Sequence, residues 1–230
     1  MNEPFESRLR TLGIEADERT LARFRMYFEF LVARNQVMNL TAITDEADVY
    51  QKHFWDSLAI LKAGPLAGLT LLDVGAGAGF PSIPLKIVCP DVTVTIIDAL
   101  QKRIGFLDEL IAKLELTGVT TIHGRAEELA GKNSYDLVTA RAVAPLNLLT
   151  ELCLPFAKVG GKFIAMKTGA CEAEVKAAAR AIRTLGGKLG GIRRYNVSAD
   201  REHALVIIDK IAATGPEYPR PFAQIKKKPL

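Results

Sequence analysis

The first sixty-five residues place apolar side chains at helical spacing. Leu21, Phe24, Phe28, Leu31 and Val32 recur at steps of three and four, the repeat that lines one face of an α-helix. Asp17 stands where an N-cap belongs, and a second helix is predicted from about Asp45 to Leu61, closed by Gly64-Pro65. From Leu69 the period changes. The short apolar runs LTLLDV, VTVTIID, VTTIH, YDLVTA and KFIAMK alternate with amphipathic stretches near 81–88, 101–116, 126–130, 145–157 and 171–185. Strands alternating with helices imply an α/β fold, a mostly parallel sheet covered on both faces. Beyond a break at Gly186-Gly187, GIRRYNV and HALVIID flank a polar loop and predict an antiparallel edge hairpin. The closing EYPRPFAQIKKKPL is Pro-rich and basic, an expected extended tail. The chain thus divides into a helical extension (1–65), an α/β domain (66–213) and a tail (214–230).

Composition narrows the setting. The 230 residues, 49% of them apolar, suffice for one domain with an appendage. No run approaches the ~18–20 apolar residues of a membrane span, and the N-terminal MNEPFESRLR is charged where a signal peptide needs an apolar core. A cytoplasmic monomer without membrane contact is expected. Cys89, Cys153 and Cys171 are odd in number and widely spaced, as buried free thiols are. His53, His123 and His203 lack the paired spacing of metal ligands. Charge is uneven: residues 171–230 carry 12 Lys/Arg against 6 Asp/Glu, whereas the preceding parts are balanced or acidic. Arg193, Arg194, Arg201 and the run Lys226-Lys227-Lys228 fit either a polyanionic partner or a solvated basic face.

The candidate chemistry starts at LLDVGAGAGF, residues 71–80. Ligands of doubly wound sheets bind beyond the carboxyl ends of the strands, which is where Gly75, Gly77 and Gly79 fall. The spacing G-x-G-x-G is not the G-x-G-x-x-G of a pyrophosphate turn, and no P-loop Lys follows, so phosphate cradling is disfavoured. Asp73 can hold the loop or bind an amino group. Asp98, closing the second strand, can accept the hydroxyls of a ribose. A phosphate-free adenosine satisfies all three features. The combination resembles the cofactor site of class I methyltransferases that use S-adenosylmethionine, with NAD-dependent oxidoreductases as the competing reading. No N/D-P-P-Y/F loop or nucleophilic cysteine follows the fourth strand, where TARAVAPL stands instead. Base amino groups and pyrimidine C5 are thereby disfavoured as acceptors, and a lone-pair nucleophile such as guanine N7, which reacts by positioning alone, is favoured.

Longer segments sharpen the resemblance. RNQVMNLTAI (34–43), HFWDSL (53–58), LLDVGAGAGFPSIPLKI (71–87), IIDALQKRIGFL (96–107), GRAEEL (124–129), TARAVAPL (139–146), GGKFIAMKTG (160–169) and KKKPL resemble the RsmG family, also called glucose-inhibited division protein B. These are bacterial 16S rRNA guanine-N7 methyltransferases. The resemblance implies a Rossmann-like class I methyltransferase sheet, S-adenosylmethionine as methyl donor, and a guanine of 16S rRNA, number 527 in rRNA numbering, as acceptor, free or within the small ribosomal subunit. It also implies Gly75 and Phe80 lining the cofactor, Asp98, Ala99 and Leu100 at its ribose, Ala126 and Glu127 beside its adenine, and Arg141 between cofactor and acceptor. Arg141 can hold an RNA phosphate or guanine O6, or else form an ion pair with Asp136 or Glu127. His53 and Asp56 either touch the substrates or tie their helix to the sheet. Lys102 and Arg103, cations at a helix start, await an anion or are simply solvated. Where the family often closes its hairpin with Glu-Arg-His-Leu, this chain reads Arg201-Glu202-His203-Ala204, which leaves Arg201's role open.

Overall fold

The computed structural model describes residues 4–230. Four segments of helix come first: α1 (Phe5–Thr11), α2 (Glu18–Met38), α3 (Glu46–Val49) and α4 (Asp56–Leu58). Asp17 caps α2, its carboxylate accepting from the Thr20 N–H at 2.8 Å, a contact worth about 1 kcal/mol. Between α3 and α4 the helix widens into a π-helical stretch, Tyr50–Trp55, in place of the uniform helix the periodicity predicts. Such widenings shift the register of the side chains that follow and are frequent at functional sites.

Seven strands then form one sheet: β1 (Thr70–Val74), β2 (Thr93–Asp98), β3 (Val119–His123), β4 (Tyr135–Arg141), β5 (Ala157–Thr168), β6 (Gly187–Ser198) and β7 (Arg201–Lys210). Their order is β3-β2-β1-β4-β5-β7-β6. The first five are parallel, and β7 pairs antiparallel with both β5 and β6, as the sequence pattern predicts. The connecting helices are α5 (Ser82–Val88), α6 (Gln101–Lys113), α7 (Leu146–Cys153) and α8 (Glu172–Thr184). Residues 126–130, expected as a helix, make only one 3-10 turn, Ala126–Glu128.

Each face of the sheet has its own core. One joins Phe24, Tyr27 and Leu31 of α2 to Phe54, Ile83, Phe106 and Leu107, so the N-terminal helices share a core with the sheet. The other joins Leu149 and Cys153 of α7 to Ala178 and Ile182 of α8. The expected extended tail is instead packed. Residues Phe222–Lys227 form α9, Ile225 is fully buried in the second core, and Arg220 holds the buried Glu151 carboxylate through two bonds of 2.7 and 2.6 Å. Pro and Lys content misled there because one Ile and one bidentate Arg suffice to anchor a short basic segment.

Candidate active site

Open α/β sheets bind ligands in the crevice beyond the carboxyl ends where the strand order reverses, which here is between β1 and β4. The glycine loop lies there, directly after β1. Gly75 N–H donates to Ile97 O at 2.8 Å, and the Asp98 carboxylate accepts from Gly77 N–H at 3.1 Å. Tyr27 of α2 donates its buried hydroxyl to Ala78 O at 2.6 Å, so an N-terminal helix props the loop from below. Gly79 leaves room for that prop: a Cβ there would sit 2.8 Å from the Tyr27 hydroxyl. Gly77 differs. A Cβ would meet nothing within 4 Å, so this backbone faces open space, and its φ of 61° is the left-handed region that favours glycine.

Asp73 is fully buried. Its Oδ2 accepts from Ser82 N–H at 3.1 Å, whereas Oδ1 and the Ser82 hydroxyl have no partner. Burial pushes its carboxyl up to about 7. Asp73 therefore anchors the start of α5, and its free oxygen is an unsatisfied acceptor beneath the loop. Asp98 is more engaged than its sequence position implies. It accepts from Gly77 N–H, from Leu100 N–H at 2.9 Å and from Arg103 at 3.3 Å. A carboxylate accepts about four bonds, so one position remains. Arg103, expected to meet an external anion such as RNA or only solvent, turns onto this carboxylate, and Lys102 donates to Met38 O at 3.2 Å. Ala99 and Leu100 are exposed at the rim, Leu100 to 44%, and Ala126 and Glu127 follow the end of β3. Gly77, Asp98, Ala99, Leu100 and Ala126 thus lie at or after the carboxyl ends of β1, β2 and β3, and with an unobstructed glycine, one free carboxylate position and the exposed Ala99 and Leu100 they are a candidate cradle whose chemistry fits an adenosine-bearing ligand.

Across the crevice stands Arg141, the last residue of β4. Its guanidinium lies 4.8 Å above the Phe80 ring, and Phe80 stacks on His53 at 4.5 Å and on Tyr27 at 5.4 Å. Its ion-pair partner is neither Asp136 nor Glu127 but Asp56, at 2.9 Å. Asp136 is occupied at the opposite strand ends, bonded to Thr70 and Lys158. The carboxylate of Asp56, 2% exposed, also accepts from Tyr195 of β6 and His203 of β7, both at 2.7 Å. Burial alone would raise its pKa, but the bond from His203 and the charge of Arg141 outweigh burial and hold it below the ordinary value. One carboxylate thus ties the N-terminal helices to three strands, the tying role proposed for the His53-Asp56 segment.

His53 sits beside this tie, Nε2 2.8 Å from Thr41 Oγ1 and Nδ1 3.4 Å from Arg141 Nη2. Burial and the Arg141 charge push its imidazole down to about 4, so it is neutral at physiological pH. Ala142, next to Arg141, adopts φ 57°, an uncommon conformation that costs a non-glycine residue about 1 kcal/mol or more. Arg141, His53 and His203 border a cleft of about 390 Å³ that Lys52, Lys167 and Glu174 complete. Lys167 donates to Glu174 at 2.7 Å and to Ala144 O at 2.8 Å. Arg201 lies exposed at the start of β7, while Lys226, Lys227 and Lys228 sit on and just after α9; none of them lines the cleft. Arg194 pairs internally with Glu172 and Glu202. Tyr195, His203, Lys167 and Tyr27 are site residues that pattern reading missed. Tyr195 and His203 are cross-strand partners, and nothing short of the hairpin register places them together.

A sheet of this order with a glycine loop after β1 defines the fold of class I methyltransferases. Solved structures agree: TrmN from Thermus thermophilus superposes with a TM-score of 0.55 at 18% identity, over 68% of this chain and 48% of that one. TYW2 from M. jannaschii, solved in complex with AdoMet, gives 0.54 at 17% identity, over 68% and 77%. These likenesses speak for the fold alone. Sequence carries the finer statement. The family model for GidB, rRNA small subunit methyltransferase G, matches residues 20–202. The ribosomal RNA small subunit methyltransferase G of Levilactobacillus brevis is 51% identical over 99% of this chain and 98% of its own, and that of Limosilactobacillus reuteri 48% over 99% and 98%. The chain belongs to the GidB family and is an rRNA methyltransferase.

Proposed function

We propose that this enzyme transfers a methyl group from S-adenosylmethionine to N7 of a guanine in 16S rRNA, guanine 527 in rRNA numbering, in the cytoplasm. The observation that carries the choice of N7 is the pairing inside the cleft. Each carboxylate lining it already faces a cation, Asp56 with Arg141 and Glu174 with Lys167, and the His53 imidazole is a weak base. Such a cleft suits a nucleophile that has a lone pair and no proton to lose.

The donor would be held by Gly77, Asp98, Ala99, Leu100 and Ala126, with Asp73 buried beneath the glycine loop as its support. When bound it would supply a sulfonium-activated methyl carbon, the C–S bonding pair leaving with sulfur as N7 bonds to that carbon. The chain's own part is alignment. The Arg141 fork, fixed by Asp56 and seated on Phe80, offers hydrogen bonds to guanine O6 or an adjoining phosphate. The rings of Phe80 and His53 keep water from the reacting side, which strengthens those contacts. Orientation of this kind accounts for most of a barrier that needs neither acid nor base.

A second reading rests on His203. Its imidazole, held by Asp56, can accept a proton, as methylation at guanine N1 would demand. Small-subunit particles or their rRNA, incubated with enzyme and tritiated S-adenosylmethionine, separate the two. Borohydride and aniline cleave the chain at N7-methylguanosine. Label at the cleavage site supports the proposal; label in rRNA without cleavage rejects it in favour of another atom.

A further inference from the structure

On the flank formed by α1, the 3-10 segment Ala59–Ala63 and the edge strand β6, two cations lie against one indole and a third is bonded to the backbone beside them. Trp55 is 7% exposed, and its Nε1 donates to Asn196 O of β6 at 3.2 Å. The Arg8 guanidinium lies 5.4 Å from the centre of its ring and the Lys62 ammonium 5.9 Å. Arg193 donates to the carbonyl of Lys62, which brings a third charge to the same place. Arg8 also donates to Val197 O at 3.4 Å, so its head is held in position. Among the described residues none of these three forms a salt bridge, whereas twelve other Arg and Lys residues do.

Cation–π attraction contributes about 0.5–1 kcal/mol per contact at exposed sites, and it does not remove the repulsion of three like charges. An external polyanion does. The patch and the cleft share their supports: Trp55 immediately precedes Asp56, and Asn196, which accepts from its indole, immediately follows Tyr195, whose hydroxyl holds Asp56. Arg193 lies two residues from Tyr195 on the same face of β6, about 7 Å along the strand.

We propose that Arg8 and Lys62, set against Trp55, and Arg193, bonded to the Lys62 carbonyl, form a phosphate-binding track for the RNA strand whose base occupies the cleft. The inference rests on the rRNA reading of the cleft and adds the route by which the backbone approaches it. The track is built jointly by the first helix and the last hairpin, so it exists only when the N-terminal helices and β6 are docked. Guanidinium groups match phosphate geometry through paired N–H donors, and the contacts carry no sequence information, so they act on affinity for RNA rather than on the choice of base.

The test compares wild type with Arg8→Gln/Lys62→Gln/Arg193→Gln, together with Arg8→Lys/Arg193→Lys, which keeps the charge. S-adenosylmethionine binding and the melting curve serve as controls for folding, because none of the three residues touches the cradle. Each phosphate contact on single-stranded RNA contributes a slope of about 0.7 in log K against log salt. Between 50 and 200 mM salt the triple variant should therefore lose roughly 20-fold less affinity for small-subunit rRNA than wild type does. Its KM for the RNA should rise with kcat unchanged, as expected for contacts made equally in ground and transition states, and the Lys variant should retain the wild-type slope. Trp55 is the chain's single tryptophan, so its fluorescence should change on addition of RNA and stay constant on addition of S-adenosylmethionine alone. Wild type that methylates rRNA, with slope, KM and fluorescence all insensitive to the three charges, overturns the track and leaves the cleft's reading standing. Wild type that labels no rRNA overturns both. Charge-dependent binding to phosphatidylglycerol vesicles instead of RNA reassigns the patch and overturns the proposal.

Discussion

Removal of the Asp56 carboxylate tests the architecture of the site most directly. In the Asp56→Ala variant, Arg141, with a side chain only 16% exposed, loses its counter-ion at 2.9 Å, while Tyr195 and His203 each lose an acceptor at 2.7 Å. Breaking one side of a buried ion pair costs about 3–5 kcal/mol. For a chain of this size each kcal/mol moves Tm by about 2–4 °C, so a fall of roughly 6–20 °C is expected. Circular-dichroism melts at about pH 7 measure it. The pH dependence supplies a check on cause. Asp56 has a folded pKa below its ordinary 3.8, so its contribution is present above that value and lost as pH falls through the folded pKa. The gap between wild type and variant should hold from about pH 7 to 5 and narrow progressively as the pH falls below about 4. Asp56→Asn keeps one acceptor oxygen and should fall between the two in stability, with turnover reduced and S-adenosylmethionine affinity near wild type. A Tm change below about 2 °C, or a gap of equal size at pH 7 and pH 3, would refute the claim that this carboxylate holds Arg141.

Three further outcomes follow from the same geometry. Burial raises Asp73 to about 7, so the folded state holds this proton more tightly than the unfolded one, and wild-type stability should decline from about pH 4 to pH 7. Asp73→Asn should abolish that decline and stabilise the protein at about pH 8 by at most ~4 kcal/mol, measured by urea unfolding; identical pH profiles would show the carboxyl to be unperturbed. Gly77→Ala should cost only ~1–2 kcal/mol of stability, because its strain is confined to one left-handed residue, yet weaken donor binding by calorimetry at least tenfold; full-affinity binding would place the donor elsewhere. Asp98→Ala should weaken donor binding, whereas Arg141→Ala should act chiefly on turnover; the reverse pattern would exchange the two roles.

The sheet was legible because each strand carries its own signal. Runs such as LTLLDV and VTVTIID are short, β-branched and bounded by turn residues, so their identity does not depend on distant partners. The glycine loop was legible for a similar reason, since the strand and helix that frame it are adjacent in sequence. What escaped depends on separation. Tyr195 and His203 meet Asp56 across 139 and 147 residues, and a widened helical turn sets which way Asp56 points. Asp136 and Glu127, the ion-pair partners that the sequence offers Arg141 as an alternative to RNA, lie at other strand ends. Composition failed at the tail, where one buried Ile and one Arg outweigh three exposed lysines.

The clamp of Arg220 on Glu151 also orders events in time. Glu151 leaves the translating ribosome 69 residues ahead of the guanidinium that neutralises it. Through that interval α7 carries a carboxyl group destined for full burial, with no cation to meet it. Closing the second core around an unpaired carboxylate is expensive, so α7 is the helix that must wait, and the basic C-terminal segment acts as the latch on a core otherwise ready to close.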